Sequence, residues 1–219
     1  MLIYVLTSSQ DLRTMFTLYN KYILPRLLDR GMRSAEFNET RREVVEQASG
    51  TVLEIGFGSG YNLPFYKDIE RLYALDPSVE LYAYAKERIA SVSFPVEYLH
   101  SSAENIPLDD SSIDTVVSTW SLCSILDLPR VLKEMKRVLK PGGRFLFVEH
   151  GQSSKRMNAV VQKWFTKVSR HFTGNCHLDR KIDDYIIDVG FSIESIEMIP
   201  EEGRPLMFSY QGVAVKKGD

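Results

Sequence analysis

The stretch Val52-Leu53-Glu54-Ile55-Gly56-Phe57-Gly58-Ser59-Gly60 decides the fold that we expect for this chain. An apolar run of strand character leads into three glycines separated by single residues, which is typical of a strand followed by a tight turn. Glycine adopts positive φ easily and lets a ligand approach the backbone, because it has no Cβ. In open α/β sheets, the carboxyl end of the first strand is a common place for ligands. A tight turn without a ligand has the same pattern, so the glycines alone leave both interpretations open.

Beyond this turn, short β-branched runs alternate with helical patterns. The predicted strands cover 51–56, 71–76, 96–99, 113–119, 143–149, 191–199 and 206–215, and the predicted helices cover 79–90 and 128–139. This alternation favours a mostly parallel sheet with helices on both faces. The link at 200–205 is too short for a helical crossover, so the last strand is antiparallel to its neighbour. We therefore predict an α/β fold with a seven-stranded, mostly parallel sheet and an antiparallel last strand.

Residues 1–50 stand outside this alternation and have helical spacing. Apolar and aromatic residues recur from Leu12 to Ile23, Pro25 then interrupts, and a second helical stretch covers 38–48. We predict a single domain over residues 1–219, with a helical N-terminal cap at 1–50 and the core at 51–219. The apolar residues that open the chain are too few for a signal peptide or a membrane span.

The composition is that of an ordinary globular domain, with 44% hydrophobic and 26% charged residues among 219. A formal net charge of -2 gives no overall case for binding nucleic acid. Cys123 and Cys176 form neither a paired-cysteine metal motif nor a disulfide framework. We expect no metal site, no nucleic-acid partner and a cytoplasmic location.

Asp76 supplies a partner for the glycine turn. It ends the second predicted strand about 20 residues further on, where a carboxylate can accept hydrogen bonds from ribose hydroxyls. The alternative is a solvated aspartate that precedes Pro77 in a turn.

Five ordered motifs between residues 50 and 150 resemble the class I S-adenosylmethionine-dependent methyltransferases. They are the glycine turn, Asp76, and the segments 101–107, 114–119 and 139–145, the last reading Leu-Lys-Pro-Gly-Gly-Arg-Phe. The resemblance implies a Rossmann-like fold, S-adenosylmethionine as cofactor and S-adenosylhomocysteine as product. The positions that it implies for cofactor binding are Glu54, Gly56, Gly58, Gly60, Asp76, Pro77, Ser102, Ala103, Glu104 and Thr119. Ser102 stands where the family usually has Asp, so the contact with the adenine amino group would lack a charge.

The segments 121–125, 148–150 and 174–180 are most similar to the branch that contains the membrane-associated thiol S-methyltransferases. The resemblance implies methylation of a small, apolar acceptor, with a thiol as first choice. The alternatives are a quinone or polyprenyl-type carbon, a phospholipid amine, and a protein that binds S-adenosylmethionine without turnover. We expect no integral membrane segment, while peripheral membrane contact and the oligomeric state stay open. An NAD-dependent oxidoreductase is disfavoured, because its loop needs two residues between the last two glycines.

Methyl transfer from a sulfonium needs alignment of the acceptor, exclusion of water and, where required, removal of a proton. His150 follows the fifth predicted strand, His177 lies in the stretch that precedes the last predicted helix, and both are our candidate general bases. The alternative is that they hold loops, with Asp179 as the N-cap of a helix at 180–189. Tyr19, Tyr22 and Trp120 are the candidates for acceptor binding. The aromatic helix that contains both tyrosines can cover the pocket, lie on a membrane surface or pack on the sheet edge.

Overall fold

The computed structural model describes residue 15, residues 17–201, residue 204 and residues 206–218. The apolar start of the chain, Leu12 and three residues of the link between the last two strands lie outside the described residues.

All seven predicted strands form one sheet. They are β1 (Ser49–Ile55), β2 (Asp68–Leu75), β3 (Val96–Leu99), β4 (Ile113–Thr119), β5 (Leu139–His150), β6 (Ser192–Pro200) and β7 (Phe208–Val215). The order across the sheet is β3-β2-β1-β4-β5-β7-β6. Strands β1 to β5 pair in parallel, and β7 is antiparallel to both β5 and β6. The Rossmann-like, mostly parallel sheet with an antiparallel last strand is therefore confirmed.

Six α-helices surround the sheet in the described part of the chain. They are α1 (Leu24–Gly31), α2 (Ala35–Val45), α3 (Val79–Ile89), α4 (Leu128–Val138), α5 (Arg156–Ser169) and α6 (Ile182–Asp188). Helices α4 and α6 pack on one face, in an apolar layer with Phe145 and Phe147 of β5. Helices α2 and α3 cover the other face, in a layer with Leu146 and Val148. Successive β5 residues face opposite layers because side chains alternate along a strand.

The N-terminal helical region differs from the prediction in two places. Pro25 does not interrupt it: Tyr19–Ile23 forms a π-helical turn, and Pro25 then lies in the first turn of α1. A proline lacks the N–H that a helix interior needs, and the wider turn leads into a position where none is required. Helix α2 starts at Ala35, earlier than predicted, because the Ser34 hydroxyl accepts a hydrogen bond from the N–H of Phe37 and caps the helix.

Two further corrections concern the second half of the chain. Strand β5 begins at Leu139, which pairs with Ile113 before an irregularity that includes Pro141-Gly142-Gly143. Asp179 is not a helix cap: α6 begins at Ile182, its N-cap Lys181 makes no side-chain cap bond, and the Asp179 carboxylate faces His177 instead. Helix α5 was not predicted at all. No described helix is both long enough and apolar enough to cross a membrane.

Candidate active site

A cavity of about 460 Å³ opens at the carboxyl ends of β1 and β4. These two strands are adjacent although the chain forms β2 and β3 between them, so the order of the sheet reverses there. Ligands bind to open α/β sheets at this reversal point, because the loops that leave neighbouring strands diverge and leave a crevice. The cavity wall combines the glycine turn, the ends of β2 and β4, and residues of α1 and α2.

The three glycines of the turn all have positive φ but serve different purposes. The values are 69° at Gly56, 56° at Gly58 and 75° at Gly60. A Cβ on Gly56 would collide with the hydroxyl of Ser121, whereas a Cβ on Gly58 would meet no heavy atom closer than 3.8 Å. Gly56 and Gly58 line the cavity, and Gly60 packs behind it against Leu63 and Phe57. The space in front of Gly58 is therefore open to a ligand.

Asp76 holds the glycine turn through a hydrogen bond and also lines the cavity. Its Oδ2 accepts a hydrogen bond from the N–H of Gly58 (2.8 Å), and its Oδ1 accepts one from the N–H of Ser78 (2.7 Å). Burial raises the pKa of Asp76, while both backbone donors act in the opposite direction. The solvated-turn alternative for Asp76 is wrong, because the side chain is only 5% exposed.

Glu54, near the end of β1, is buried and lines the cavity. Its Oε1 accepts from Asn62 Nδ2 (2.9 Å) and its Oε2 accepts from the Tyr66 hydroxyl (2.7 Å). Burial raises the pKa of Glu54 to about 8, although both hydrogen bonds and Arg41 favour the ionised form. At neutral pH the carboxyl group therefore holds its proton in most molecules.

The remaining sequence-predicted cofactor positions line the cavity on two sides. Pro77, Ser102, Ala103 and Glu104 lie on one side, where the Ser102 hydroxyl donates to the Glu104 carboxylate. Thr119 and Trp120 lie on the other, at the end of β4. Trp120 has a φ of 50°, and its indole N–H donates to the Ser209 hydroxyl (3.1 Å), which fixes the ring against the cavity.

Two charged residues of the N-terminal helices also line this cavity, and sequence reasoning missed them. Arg41 of α2 is buried, with its guanidinium 5.1 Å from the Trp120 ring and 5.3 Å from the Tyr61 ring. Asp29 of α1 is buried as well and pairs with Arg33. Arg41 Nε and Asp29 Oδ1 have no hydrogen-bond partner among the described residues. A charged residue at a helical position that should be apolar was the available signal.

Comparison with known proteins shows the family to which this chain belongs. A family profile described as a methyltransferase domain matches residues 53–147. Thiol S-methyltransferase TMT1B of Rattus norvegicus is 31% identical over 198 residues, which cover 83% of this chain and 79% of the relative. This chain belongs to the S-adenosylmethionine-dependent methyltransferases.

Other relatives of this methyltransferase act on different acceptors. A phosphatidylethanolamine N-methyltransferase of Cereibacter sphaeroides is 30% identical, over 71% of this chain and 76% of the relative. Among solved structures, the YcgJ protein of Bacillus subtilis superposes with a TM-score of 0.68 at 16% identity, over 83% of this chain and 99% of that chain. The structural match supports the fold, while the relatives leave the acceptor open.

S-adenosylmethionine is the cofactor of this family, and the residues at the cavity fit it. Its methionine part carries an ammonium and a carboxylate, and the cavity offers a buried carboxylate at Asp29 and a buried guanidinium at Arg41. Asp29 Oδ1 and Arg41 Nε each make no hydrogen bond among the described residues, although Asp29 Oδ1 lies 4.0 Å from the guanidinium of Arg88. Its ribose needs hydrogen-bond acceptors, and Asp76 offers them at the end of β2.

The histidines and tyrosines predicted for catalysis and acceptor binding do not line the cavity of the methyltransferase. His150 is buried behind it: Nδ1 lies 3.7 Å from Cys123 Sγ and 3.5 Å from Cys176 Sγ, and Nε2 lies 2.9 Å from a Glu201 oxygen in an ion pair whose angle is poor for a hydrogen bond. Burial opposes its charge, but these contacts outweigh it and raise the pKa of His150 to about 10.

His177 is half-buried, with Nδ1 3.7 Å from an Asp179 oxygen, and burial lowers its pKa. Tyr19 donates its hydroxyl proton to the carbonyl oxygen of Phe172 (2.8 Å), and Tyr22 is exposed. Trp120 is the acceptor-binding candidate that does reach the cavity.

Proposed function

We propose that this methyltransferase transfers the methyl group of S-adenosylmethionine to the sulfur of a small, apolar thiol. The similarity to thiol S-methyltransferase TMT1B supports a sulfur acceptor. The side chains that line the cavity also support the proposal.

The observation that carries the proposal is the set of side chains around the cavity. None of the described residues that line it is a histidine, lysine or cysteine. A thiol with a pKa near 8.5 ionises to a useful extent unaided at neutral pH, whereas an alcohol or a ring carbon needs a strong, well-placed base. A cavity without a histidine therefore favours an acceptor that ionises in bulk solution and binds as the thiolate.

The apolar side chains of the cavity support the size and polarity of the acceptor. They are Leu28 of α1, Met32 directly after α1, Ile125 and Leu126 after β4, and Trp120. These side chains would bind a hydrocarbon body and exclude water from the reacting sulfur.

The charged side chains of the cavity support binding of the cofactor. Arg41 would bind the carboxylate of the methionine part and Asp29 its ammonium, while Asp76 would accept hydrogen bonds from the ribose. The sulfonium supplies an activated methyl group: the acceptor sulfur forms the new C–S bond with its lone pair, and the old C–S bond breaks with its electrons passing to the departing thioether. The residues of this chain contribute alignment, which is worth several kcal/mol in such displacements.

A phospholipid amine is the second candidate acceptor. Exposed apolar residues lie beside the cavity, including Leu126, Leu27 and Ile23. A lipid surface can cover such residues, and a lipid headgroup would then lie near the cavity.

Transfer of labelled methyl to a panel of acceptors tests the proposal. The panel contains an aliphatic thiol, a phenol, a quinol, a primary amine and vesicles of phosphatidylethanolamine. We expect label on the thiol, loss of transfer in Asp76→Ala, and unchanged transfer in the matched surface variant Asp68→Ala. Label on the vesicles alone would replace the thiol by the phospholipid amine. Transfer to no acceptor, with cofactor binding intact, would contradict both.

A further inference from the structure

Two cysteines and a histidine that lie far apart in the sequence come together behind the cavity. Cys123 lies in the turn after β4, His150 ends β5, and Cys176 lies between α5 and α6. The two Sγ atoms are 3.4 Å apart, and both face Nδ1 of His150, at 3.7 Å from Cys123 and 3.5 Å from Cys176. Among the described residues, this is the one group of three potential metal ligands whose donor atoms lie within 4.8 Å of one another.

We propose that Cys123, Cys176 and His150 form a zinc site. Tetrahedral Zn²⁺ with bonds of about 2.3 Å to sulfur and about 2.05 Å to nitrogen requires ligand separations of roughly 3.8 Å between sulfurs and roughly 3.6 Å between sulfur and nitrogen. The three observed separations are within a few tenths of an ångström of this triangle. Nitrogen and thiolate donors in this geometry select Zn²⁺ over Mg²⁺ or Ca²⁺, which prefer oxygen. The site has a fourth position for water or another ligand.

The surroundings of His150 suit metal binding through Nδ1. Nε2 lies 2.9 Å from Glu201 Oε1, so a proton on Nε2 is paired with a carboxylate. Nδ1 faces the sulfurs and would bind the metal after losing its proton. Glu201 is itself held, since its Oε1 accepts from the Ser209 hydroxyl (2.9 Å) and its Oε2 from Arg204 (3.1 Å). A carboxylate behind a ligating histidine fixes the ring and increases its basicity.

The backbone positions the two cysteines before any metal binds. Glu149 accepts from the N–H of Cys123 (3.1 Å), and the Cys123 carbonyl accepts from the N–H of His177 (2.8 Å). Gly174 and Asn175 both have positive φ, 66° and 68°, which turns the chain so that Cys176 reaches the cluster. Coordination by two thiolates would leave the buried site without net charge, because their charges balance that of Zn²⁺.

This proposal departs from the expectation of no metal site, which rested on the absence of a paired-cysteine metal motif. It does not depend on which acceptor the enzyme methylates. The ligands lie behind the cavity wall, of which Ser121, Ser124 and Gly174 are the nearest members in sequence. A bound metal would therefore hold the loop after β4, the end of β5 and the segment before α6 in place behind that wall.

Metal titration of the full chain, without a histidine tag and under reducing conditions, tests the site. We expect one tightly bound Zn²⁺ per chain by elemental analysis. After metal removal, Co²⁺ should give the intense visible absorption of tetrahedral coordination and a sulfur-to-cobalt charge-transfer band in the near ultraviolet. Cys123→Ser, Cys176→Ser and His150→Gln should abolish the charge-transfer band or weaken it, whereas the exposed His171→Gln should keep both. Glu201→Gln should weaken Zn²⁺ binding by about 10-fold to 100-fold.

Protection of the thiols gives a second measurement that needs no variant. With Zn²⁺ bound, both thiols of the folded protein should resist alkylation, and a chelator should make them reactive. Absence of stoichiometric Zn²⁺ after metal addition, or a cobalt spectrum unchanged by the cysteine substitutions, would overturn the proposal. Thiols that stay blocked until a reductant is added would point instead to a disulfide and would also overturn it. Neither measurement involves methyl transfer, so failure of the thiol-acceptor proposal would leave both results unaffected.

Discussion

Arg41 and Glu54 are buried at the same cavity, and burial disfavours the charged form of both side chains. The resulting charge states at neutral pH differ. Burial lowers the pKa of Arg41 to about 10, so the guanidinium keeps its charge at neutral pH. It raises the pKa of Glu54 to about 8, so this carboxyl group is mostly neutral there. The cavity thus keeps a buried cation for an anionic ligand group, beside a carboxyl that adds little negative charge.

Substitution of Arg41 tests the carboxylate contact. A hydrogen bond to a charged group contributes about 1.5–3 kcal/mol, so Arg41→Met should weaken S-adenosylmethionine binding about 10-fold to 100-fold in calorimetric titration. The matched control is Arg42→Met, because the neighbouring side chain is largely exposed and pairs with Glu46. Equal affinities of the two variants would remove Arg41 from cofactor binding.

Glu54 predicts a pH dependence of stability in the cofactor-free protein. The folded state keeps the proton up to a pH near 8, while the unfolded chain releases it near 4.5, the ordinary pKa of a glutamate. The unfolded state therefore binds fewer protons over this interval, and the free energy of unfolding falls as pH rises through it, by on the order of a few kcal/mol. Glu54→Gln should remove this loss.

Urea unfolding between pH 5 and about pH 8 measures the effect. The difference between wild type and Glu54→Gln should grow with pH in favour of the variant, while the exposed Glu70→Gln should run parallel to wild type. Parallel curves for all three proteins would show that Glu54 ionises normally.

At the scale of elements, the N-terminal helices supply part of the lining of the candidate active site. Leu28 and Asp29 of α1 and Arg41 of α2 line the cavity that also holds the glycine turn. The cap at 1–50 and the core at 51–219 therefore both contribute residues to one cavity. Tyr19 and Tyr22, chosen for their aromatic character, lie away from the cavity, because the face of the helix that turns inward could not be read from spacing alone.

Substitution of Leu28, which α1 contributes to the cavity lining, should change the KM for the acceptor but not the affinity for the cofactor. Leu28→Gln should raise KM for an apolar thiol by about tenfold, since a polar side chain in an apolar pocket costs 1–3 kcal/mol, and should leave cofactor affinity within twofold. Leu27→Gln is the control, because this neighbouring leucine is exposed and does not line the cavity. Equal KM values for the two variants would exclude Leu28 from acceptor binding.

Helix α5 shows why one element could not be predicted. Its buried residues are polar: Gln162 bonds to the backbone at Ser153, Gly151 and Leu206, and Thr166 accepts from the N–H of Leu178. Its apolar residues face outward, with Trp164 71% exposed. A pattern that places polar groups inside and apolar groups outside gives the opposite of the usual signal for a helix on a core.

At the scale of the whole molecule, the exposed apolar face of α5 indicates contact with another surface of low polarity. Exposed apolar residues of α5 include Met157, Val160, Val161, Trp164 and Val168. Exposed basic residues surround them, at Lys155, Arg156, Lys163, Lys167 and Arg170. An apolar face with basic neighbours is typical of a helix that lies on an anionic lipid surface, so we propose peripheral membrane contact through α5.

Binding to lipid vesicles tests this contact. The protein should sediment with vesicles that contain anionic lipid, and Trp164 emission should move to shorter wavelength as the ring leaves water. The double variant Trp164→Gln, Val168→Gln should reduce sedimentation severalfold, whereas Ile196→Gln, an exposed position on β6, should not. Sedimentation that is equal for all three proteins would exclude α5 as the contact surface.

The sequence alone determined the sheet, its parallel core, its antiparallel last strand and the glycine turn after β1. These follow from local signals: alternation of strand and helix patterns, a link too short for a crossover, and glycines at positions of positive φ. Tertiary structure decided what those signals do not contain. Arg41 and Asp29 join the cavity, and Cys123, His150 and Cys176 meet behind it, because strand pairing and helix packing bring together positions that are far apart in the chain. Contacts of that kind depend on which face of each element turns inward, and for α5 this was the polar face.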